Sequence, residues 1–344
     1  MFSKNLTYYR LKMNMTKKAL AEACGVSAMA ITHYEKGTRR PDMAIIQKMA
    51  DVLQVNVSDF IASRRSGLTF HHGEFRKNSR LSVNRQEYVR EAVEEYFGRM
   101  FNVVDCLGMN ALPDKPALQK LKYTGSFEND AATLRDALHL PKDGPITELI
   151  SILENTGIFV LELNLTDTNF SGMNGTVNGY PYIVINKNMN AMRKRSTIVH
   201  ELAHIMFEDL GEDEESYATA ISGAFLIPQA DLYRRLGLKR TRITKDFVSI
   251  CKEYGISTYL LVKRAAQNGI VSEGLAQNFY IKAGKAGWRS SEPDWIDKPE
   301  EPSLFRQLVY RAINEGELNL QKGAELLHLP YSVVADNCGL VEVM

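Results

Sequence analysis

Five residues near the middle of the chain have the types and spacing that metal-dependent hydrolysis of a peptide bond requires. They are His200-Glu201-Leu202-Ala203-His204, an H-E-x-x-H pattern. Positions four apart lie on one face of a helix, so both imidazoles can reach a single metal ion. Glu201 lies beside them, where its carboxylate can take a proton from an attacking water. We therefore predict His200 and His204 as metal ligands and Glu201 as the catalytic base.

A third ligand is needed, because a catalytic zinc site takes three protein ligands and keeps one position open. An acidic run, Glu212 to Glu215, follows the histidines and opens a predicted helix that ends at Pro228. Helical periodicity puts Glu214 nearest the apolar stripe of this helix, which includes Ala218 and Phe225. The residues alone leave Glu214 and Glu215 both open as the third ligand.

The elements that must position these side chains are a helix and a small sheet. No Pro or Gly interrupts residues 191 to 210, which predicts one helix of about five turns. Residues 157 to 163 form a predicted strand. Residues 170 to 177 and 180 to 185 flank Asn178-Gly179, which is a strong hairpin signal. The sheet leads directly into the metal-binding helix, and this order indicates an α+β domain.

The segment that holds these residues, T-I-V-H-E-L-A-H-I-M-F followed by E-S-Y-A-T-A-I-S-G-A-F-L-I-P, resembles the ImmA/IrrE family of bacterial metallopeptidases. The resemblance implies a zincin-like, gluzincin-type fold that binds Zn²⁺. It also implies that Glu215 is the third metal ligand, because Leu226-Ile227-Pro228 takes the family's helix-end position and Ala218 its small residue. Thr219 stands where the family usually has Asn, a position that would orient a ligand from outside the metal shell.

The N-terminal segment has a different character. Residues 1 to 65 carry eleven Lys and Arg against five Asp and Glu, although the whole chain has a net charge of only +1. Short helices are predicted, with Thr16 and Ser27 as N-caps. Small Ala21, turn-forming Gly25 and apolar Ile31 have the spacing of a helix-turn-helix, in which two helices cross closely. An all-α helix-turn-helix bundle is therefore expected.

Residues 20 to 41, L-A-E-A-C-G-V-S-A-M-A-I-T-H-Y-E-K-G-T-R-R-P, resemble the XRE class of phage-repressor-like DNA-binding domains. The surplus of basic residues and the spacing of Ala21, Gly25 and Ile31 predict a homodimer that binds a two-fold symmetric operator in double-stranded DNA. A bundle that binds protein instead is the alternative.

In a DNA complex the third helix would lie in the major groove. Its exposed side chains are mostly small or apolar, which favours contacts with thymine methyl groups and readout of DNA shape. The base-facing candidates are Ser27, Ala28, Met29, Thr32 and His33. The cations expected to contact phosphates, which position the domain without reading sequence, are Lys17, Lys36, Arg39 and Arg40.

Composition and length set the remaining limits. The chain has 344 residues, too many for one ordinary domain, and 44% of them are hydrophobic. No run of 18 apolar residues predicts a membrane span, and no signal peptide is evident. Four scattered cysteines without a C-x-x-C pair favour free thiols in a reducing cytoplasm. We expect a cytoplasmic protein without a membrane partner.

The predicted organisation is multidomain. It comprises a helix-turn-helix domain at 1–63, a linker at 64–83, a peptidase-like domain with helical extensions at 84–283, a second linker at 284–302 and a helical C-terminal region at 303–344. Within the last region, residues 319 to 329 resemble a scaffold helix and turn, but no basic patch flanks them. We interpret this region as a packing or dimer surface, with a second DNA contact as the alternative. No internal repeat is visible.

The predicted function combines both domains. A DNA-binding regulator would carry a zinc-dependent endopeptidase that cleaves a regulatory protein, either a repressor, an antitoxin or the chain itself. A stress, phage or mobile-element response is the expected setting. The alternative is a transcription factor or antitoxin whose peptidase-like domain is a non-catalytic sensor or partner-binding module.

Overall fold

The computed structural model describes residues 1–62, 64–73, 81–116, 120–167, 169–288, 292–293, 296 and 298–339. It divides into two compact units, the first formed by Met1–Leu112 with Ser303–Met344 and the second by Pro113–Pro302. None of the helices in these ranges has the length and apolar character that a membrane crossing requires.

The helices and strands follow one another along the chain in this order. The first half contains α1 (Phe2–Lys12), α2 (Lys17–Cys24), α3 (Ala28–Lys36), α4 (Met43–Leu53), α5 (Val57–Ile61), β1 (Phe70–His72), α6 (Val83–Leu107), α7 (Phe127–Ala137), α8 (Leu149–Asn155) and β2 (Phe159–Leu163). The second half contains β3 (Gly172–Val177), β4 (Tyr180–Asn186), α9 (Ala191–Met206), α10 (Glu214–Leu226), α11 (Gln229–Leu236), α12 (Asp246–Tyr254), α13 (Thr258–Gln267), α14 (Glu273–Lys285), α15 (Leu304–Asn314), α16 (Leu320–Leu327) and α17 (Tyr331–Cys338).

The N-terminal bundle has the predicted helix-turn-helix. The Thr16 hydroxyl accepts a hydrogen bond from the Ala19 amide, and the Ser27 hydroxyl accepts one from Ala30, so both helices of the motif are capped. Gly25 ends α2 at φ +71°, a conformation that costs glycine nothing. The core buries Leu20, Ala21 and Ile31 together with side chains of α1, α4 and α5.

The helix α6 belongs to the first unit. The sequence pattern predicts residues 84–106 as part of the peptidase-like domain and 303–344 as a separate helical region. Instead, Tyr88 stacks on Tyr8 of α1, and Tyr96 makes an edge-on ring contact with Phe305 of α15. Both faces of α6 therefore bury apolar surface within the first unit, and the C-terminal helices complete that unit.

The C-terminal helices repeat the geometry of the helix-turn-helix. Asn319 caps α16 through the Lys322 amide, as Thr16 caps α2, and His328 ends α16 at φ +53° in the left-handed conformation, as Gly25 ends α2. The Leu329 amide donates to the Ala324 carbonyl as the Val26 amide donates to Ala21. The matching positions are 16 and 319 for the cap, 21 and 324 for the small residue, 25 and 328 for the turn, and 31 and 334 for the buried side chain. This is an internal repeat that the sequence analysis missed.

In the second unit β4 lies between two strands. It pairs in parallel with β2 and antiparallel with β3, with Met173 opposite Val184 and Phe159 opposite Tyr182. Asn178 and Gly179 both have positive φ, as the predicted hairpin requires. Every residue of β4 is buried, because α9 packs against this sheet. Together with the helical first unit, this small mixed sheet confirms the predicted fold class.

The helix α9, which carries the two predicted histidine ligands, ends at Met206, four residues before the predicted end at 210. Phe207 adopts an extended conformation and forms a parallel bridge with Leu121. The Lys120 ammonium donates to the Ile205 carbonyl at 2.7 Å and satisfies an acceptor that the helix end leaves open. Pairing with a distant segment therefore overrides local helix propensity here.

Candidate metal centre and nucleic-acid interface

The helix α9 presents His200, Glu201 and His204 as its spacing predicts. The two imidazole ring centroids lie 5.0 Å apart. His200 and Glu201 are only 4% and 5% exposed, and α9 packs against the sheet and α10. The three side chains thus form a compact and largely desolvated site.

The third group comes from the first turn of α10. Glu215 Oε2 lies 3.4 Å from His200 Nε2, and Glu215 Oε1 lies 3.8 Å from His204 Nε2. Among the described residues, the group of three possible metal ligands that lie within 4.8 Å of one another contains Glu215 and not Glu214. Gly211, at φ +81°, makes the turn that returns the chain to the histidines.

Thr219 connects the backbone of Glu215 to a histidine. Its hydroxyl donates to the Glu215 backbone carbonyl at 2.8 Å and lies 3.2 Å from His200 Nδ1. Because the hydroxyl proton is committed to the carbonyl, the hydroxyl oxygen accepts a hydrogen bond from the Nδ1–H group. His200 then carries its proton on Nδ1, which leaves the Nε2 lone pair directed toward Glu215 and His204. Threonine thus fills the role that the sequence analysis gave to asparagine at this position.

Asn174 is a site residue that the sequence analysis did not find. Its side-chain amide donates to Glu201 Oε2 at 2.9 Å from the middle of β3. The strand can approach α9 this closely because Gly172 has no side chain; a Cβ there would lie 2.8 Å from Thr197 Cγ2 and 3.2 Å from Glu201 Cγ. Asn and Gly are both depleted in strands, so their presence in β3 was the available signal.

The donor set fits a zinc ion. Two imidazoles and one carboxylate are the ligands of several catalytic zinc sites, and they leave one of four positions open. Ligand bonds of about 2.1 Å in a tetrahedron separate the donor atoms by about 3.4 Å, close to the 3.4 and 3.8 Å separations found here.

The predicted DNA-facing residues lie on the surface of the N-terminal bundle. Ser27, Ala28, Met29, His33, Arg39 and Arg40 are exposed, whereas Thr32 and Lys17 are partly buried. Met29 is 64% exposed, similar to Met43 and Ile61 in the same bundle. His33 Nδ1 lies 2.9 Å from the Thr38 hydroxyl, and Lys17 forms an ion pair with Glu35 at 3.3 Å. The ion pair with Glu35 reduces the positive charge that Lys17 can offer to a phosphate.

Comparisons with known proteins agree with this division. Residues 6–60 match a family model described as helix-turn-helix, and residues 153–266 match one described as the IrrE N-terminal-like domain. The chain is 30% identical over 77 residues to the uncharacterized HTH-type transcriptional regulator YqaE of Bacillus subtilis, an alignment that covers 22% of this chain and 66% of YqaE. The chain thus spans just under two thirds of that relative's length. No solved structure gives a significant match. The chain therefore contains one segment similar to XRE-type helix-turn-helix domains and one segment similar to the IrrE N-terminal-like domain of IrrE/ImmA-type peptidases.

Proposed function

We propose that this regulator carries a zinc-dependent endopeptidase that cleaves a regulatory protein. The substrate would be a repressor, an antitoxin or the chain itself, in a stress, phage or mobile-element response. The observation that carries the proposal is the meeting of His200, His204 and Glu215, with Glu201 one residue along α9. Since DNA binding requires access to the chromosome, we also propose a cytoplasmic location.

The proposed chemistry assigns one task to each side chain. His200, His204 and Glu215 would hold the ion, and Thr219 would keep His200 in the tautomer that ligates through Nε2. Zinc at this position supplies a Lewis acid that polarises the substrate carbonyl and lowers the pKa of water. Glu201 would take a proton from the attacking water and return it to the leaving amine. Asn174 would hold one oxygen of Glu201, so that the other faces the reaction.

Glu201→Gln tests whether the site is catalytic. Glutamine has nearly the same shape as glutamate but cannot accept the proton, so zinc content and stability should stay near normal. We expect the rate of cleavage to fall about 100- to 10,000-fold. The measurement is the lifetime of candidate target proteins in cells under DNA damage, together with transcription of neighbouring genes. Normal regulation with no target that persists longer would mean that the domain is a sensor.

Zinc content tests the ligand set independently of activity. Purified protein should hold about one zinc per chain, and His204→Ala should lose most of it. Glu215→Gln should weaken zinc binding more than the matched variant Glu214→Gln, which changes the adjacent exposed carboxylate. If Glu214→Gln had the larger effect, the proposed register of α10 at the metal would be wrong.

We propose that the N-terminal bundle binds a two-fold symmetric operator as a homodimer, with half-sites about one helical turn apart. The exposed cations at the end of α3 support phosphate contacts. Arg39→Ala and Arg40→Ala should weaken binding to every sequence and lower the slope of log affinity against log salt by about 0.9 for each phosphate that the variant no longer neutralises. The measurement is titration of a fluorescent operator at several salt concentrations. A change confined to one operator sequence would contradict phosphate contact.

A further inference from the structure

A second cleft lies in the peptidase-type unit, outside the metal site. Its volume is about 710 Å³, within the range of sites that bind ligands. The first two turns of α9 form one wall through Arg193 and Ser196, and Phe170, two residues before β3, also lines the cleft. The N-terminus of α13 contributes Tyr259, and Trp288 follows α14.

The cleft lies along α9 and beside the start of β3, the helix and strand that also carry residues of the metal site. Ser196 precedes His200 by four residues, one turn of α9, and Arg193 precedes it by seven. Arg193 donates to the hydroxyl of Ser171, which directly precedes Gly172 at the start of β3. At 1.5 Å per residue, the centre of the cleft wall lies about 6 to 10 Å along the helix from His200. An extended polypeptide covers that distance in two to three residues.

The cleft walls have groups suited to a polypeptide segment. Tyr259 and Trp288 form an aromatic wall of the cleft; both rings contact Phe279, and Tyr259 also stacks on Tyr280. The Tyr259 hydroxyl is shielded from solvent, so the ring is the part of this side chain that a ligand in the cleft can contact. Burial of an apolar side chain against these rings would be favourable.

Two charged residues, Arg193 and Glu292, line the cleft, and they differ in the contacts they make. Arg193 is exposed and forms no ion pair within the described ranges. The Glu292 carboxylate accepts hydrogen bonds from the backbone amides of Thr258 and Tyr259, at 2.7 and 3.4 Å, and so caps α13. Glu292 is thus held at the start of α13, whereas Arg193 is an exposed cation of the cleft that can attract an anionic side chain of a ligand.

We propose that this cleft binds the substrate two to three residues from the scissile bond, with a large apolar side chain against the aromatic wall and a neighbouring carboxylate at Arg193. The proposal rests on the proposed peptidase function and adds its sequence preference. The preferred substrate segment therefore pairs an aromatic or large aliphatic residue with Asp or Glu.

The test uses the full chain with Glu201→Gln, so that probes bind without being cleaved. Trp295→Phe, at a position outside the described residues, leaves Trp288 as the one tryptophan, since the chain has two. The probes are blocked alanine-based octapeptides that contain Phe-Asp, Phe-Ala, Ala-Asp or Ala-Ala at the centre. We expect Trp288 fluorescence to report binding of Phe-Asp peptides about 10- to 100-fold tighter than Ala-Asp, from burial of the ring.

One variant and its matched control examine the contact with Arg193. Arg193→Gln should remove the preference for Asp, about fivefold, and keep the preference for Phe. The matched control, Arg242→Gln, changes another exposed arginine of the same unit and should leave both preferences intact.

The outcomes separate this proposal from the proposed function. Peptide binding with the expected preferences, but without cleavage by the unmodified chain, would support the cleft and reject the peptidase. Cleavage whose KM is unchanged by Arg193→Gln would support the peptidase and overturn the cleft. A Trp288 signal that responds to none of the peptides, or equally to Ala-Ala and Phe-Asp, would also overturn it.

Discussion

Thr219→Val is the sharpest single test of the metal centre. Valine has the size of threonine and a similar helix propensity, so the exchange removes the hydroxyl and little else. The hydroxyl lies 3.2 Å from His200 Nδ1 and 2.8 Å from the Glu215 carbonyl. Without it, Nδ1 of His200, a residue that is only 4% exposed, loses the Thr219 hydroxyl as its hydrogen-bond partner.

The expected size of the effect follows from two independent estimates. A buried donor that loses its partner costs about 1–3 kcal/mol. Removing a group that orients a metal-bound histidine typically lowers metal affinity about 10- to 100-fold, which corresponds to about 1.4–2.7 kcal/mol. Because the two ranges agree, we expect zinc affinity to fall about 10- to 100-fold in Thr219→Val, measured by competition with a chromophoric chelator.

Two matched variants complete this experiment. Thr219→Ser keeps the hydroxyl and should hold zinc within about threefold of the unmodified chain. Thr219→Asn introduces the side chain usual in the ImmA/IrrE family and should also retain binding, because its amide oxygen can accept from Nδ1. If Thr219→Val bound zinc as tightly as Thr219→Ser, the hydroxyl would not set the tautomer of His200 and the reasoning would fail.

Further predictions concern packing and thiol chemistry. Gly172→Ala puts a Cβ 2.8 Å from Thr197 Cγ2, so it should destabilise the peptidase-type unit by about 1–3 kcal/mol in urea denaturation. Gly274→Ala, whose Cβ would meet nothing within 4 Å, is the control and should be neutral or stabilising; equal destabilisation by both would contradict the close approach of β3. Burial raises the pKa of Cys251 to about 12, whereas Cys106 is exposed. An aromatic disulfide reagent at pH 8 should therefore modify Cys106 rapidly and Cys251 only after unfolding, and early modification of Cys251 would show that its site opens in the native state.

The spacing of the two histidines along one helix made them predictable as metal ligands. Asn174, which supports Glu201 from a distant part of the sequence, was not predictable in this way. His200 and His204 meet because a helix repeats every 3.6 residues, a rule that needs no tertiary information. Asn174 reaches Glu201 across 27 residues, and only the packing of β3 on α9 brings them together. The choice between Glu214 and Glu215 depends on the rotation of α10, which the helical periodicity of α10 does not determine.

The same difference between local signals and long-range packing explains which parts of the first unit were predictable from the sequence. Caps and turns at Thr16, Gly25 and Ser27 are local signals, so the helix-turn-helix was predictable. The placement of α6 was not, because its apolar stripe would pack equally well against either unit. The C-terminal repeat was hidden because His328 replaces glycine and Pro330 replaces the capping serine. The turn keeps its geometry while its residue types change.

The division of the chain has a consequence for synthesis. The first unit takes its helices from both sides of the 190 residues that form the second unit. At about 5–20 residues per second, α6 waits about 10–40 s on the ribosome before α15 to α17 follow. During that interval the ring of Tyr96 lacks Phe305, and the Arg99 guanidinium lacks the Leu326 carbonyl. The peptidase-type unit can therefore finish folding first, and a nascent chain completes its first unit last.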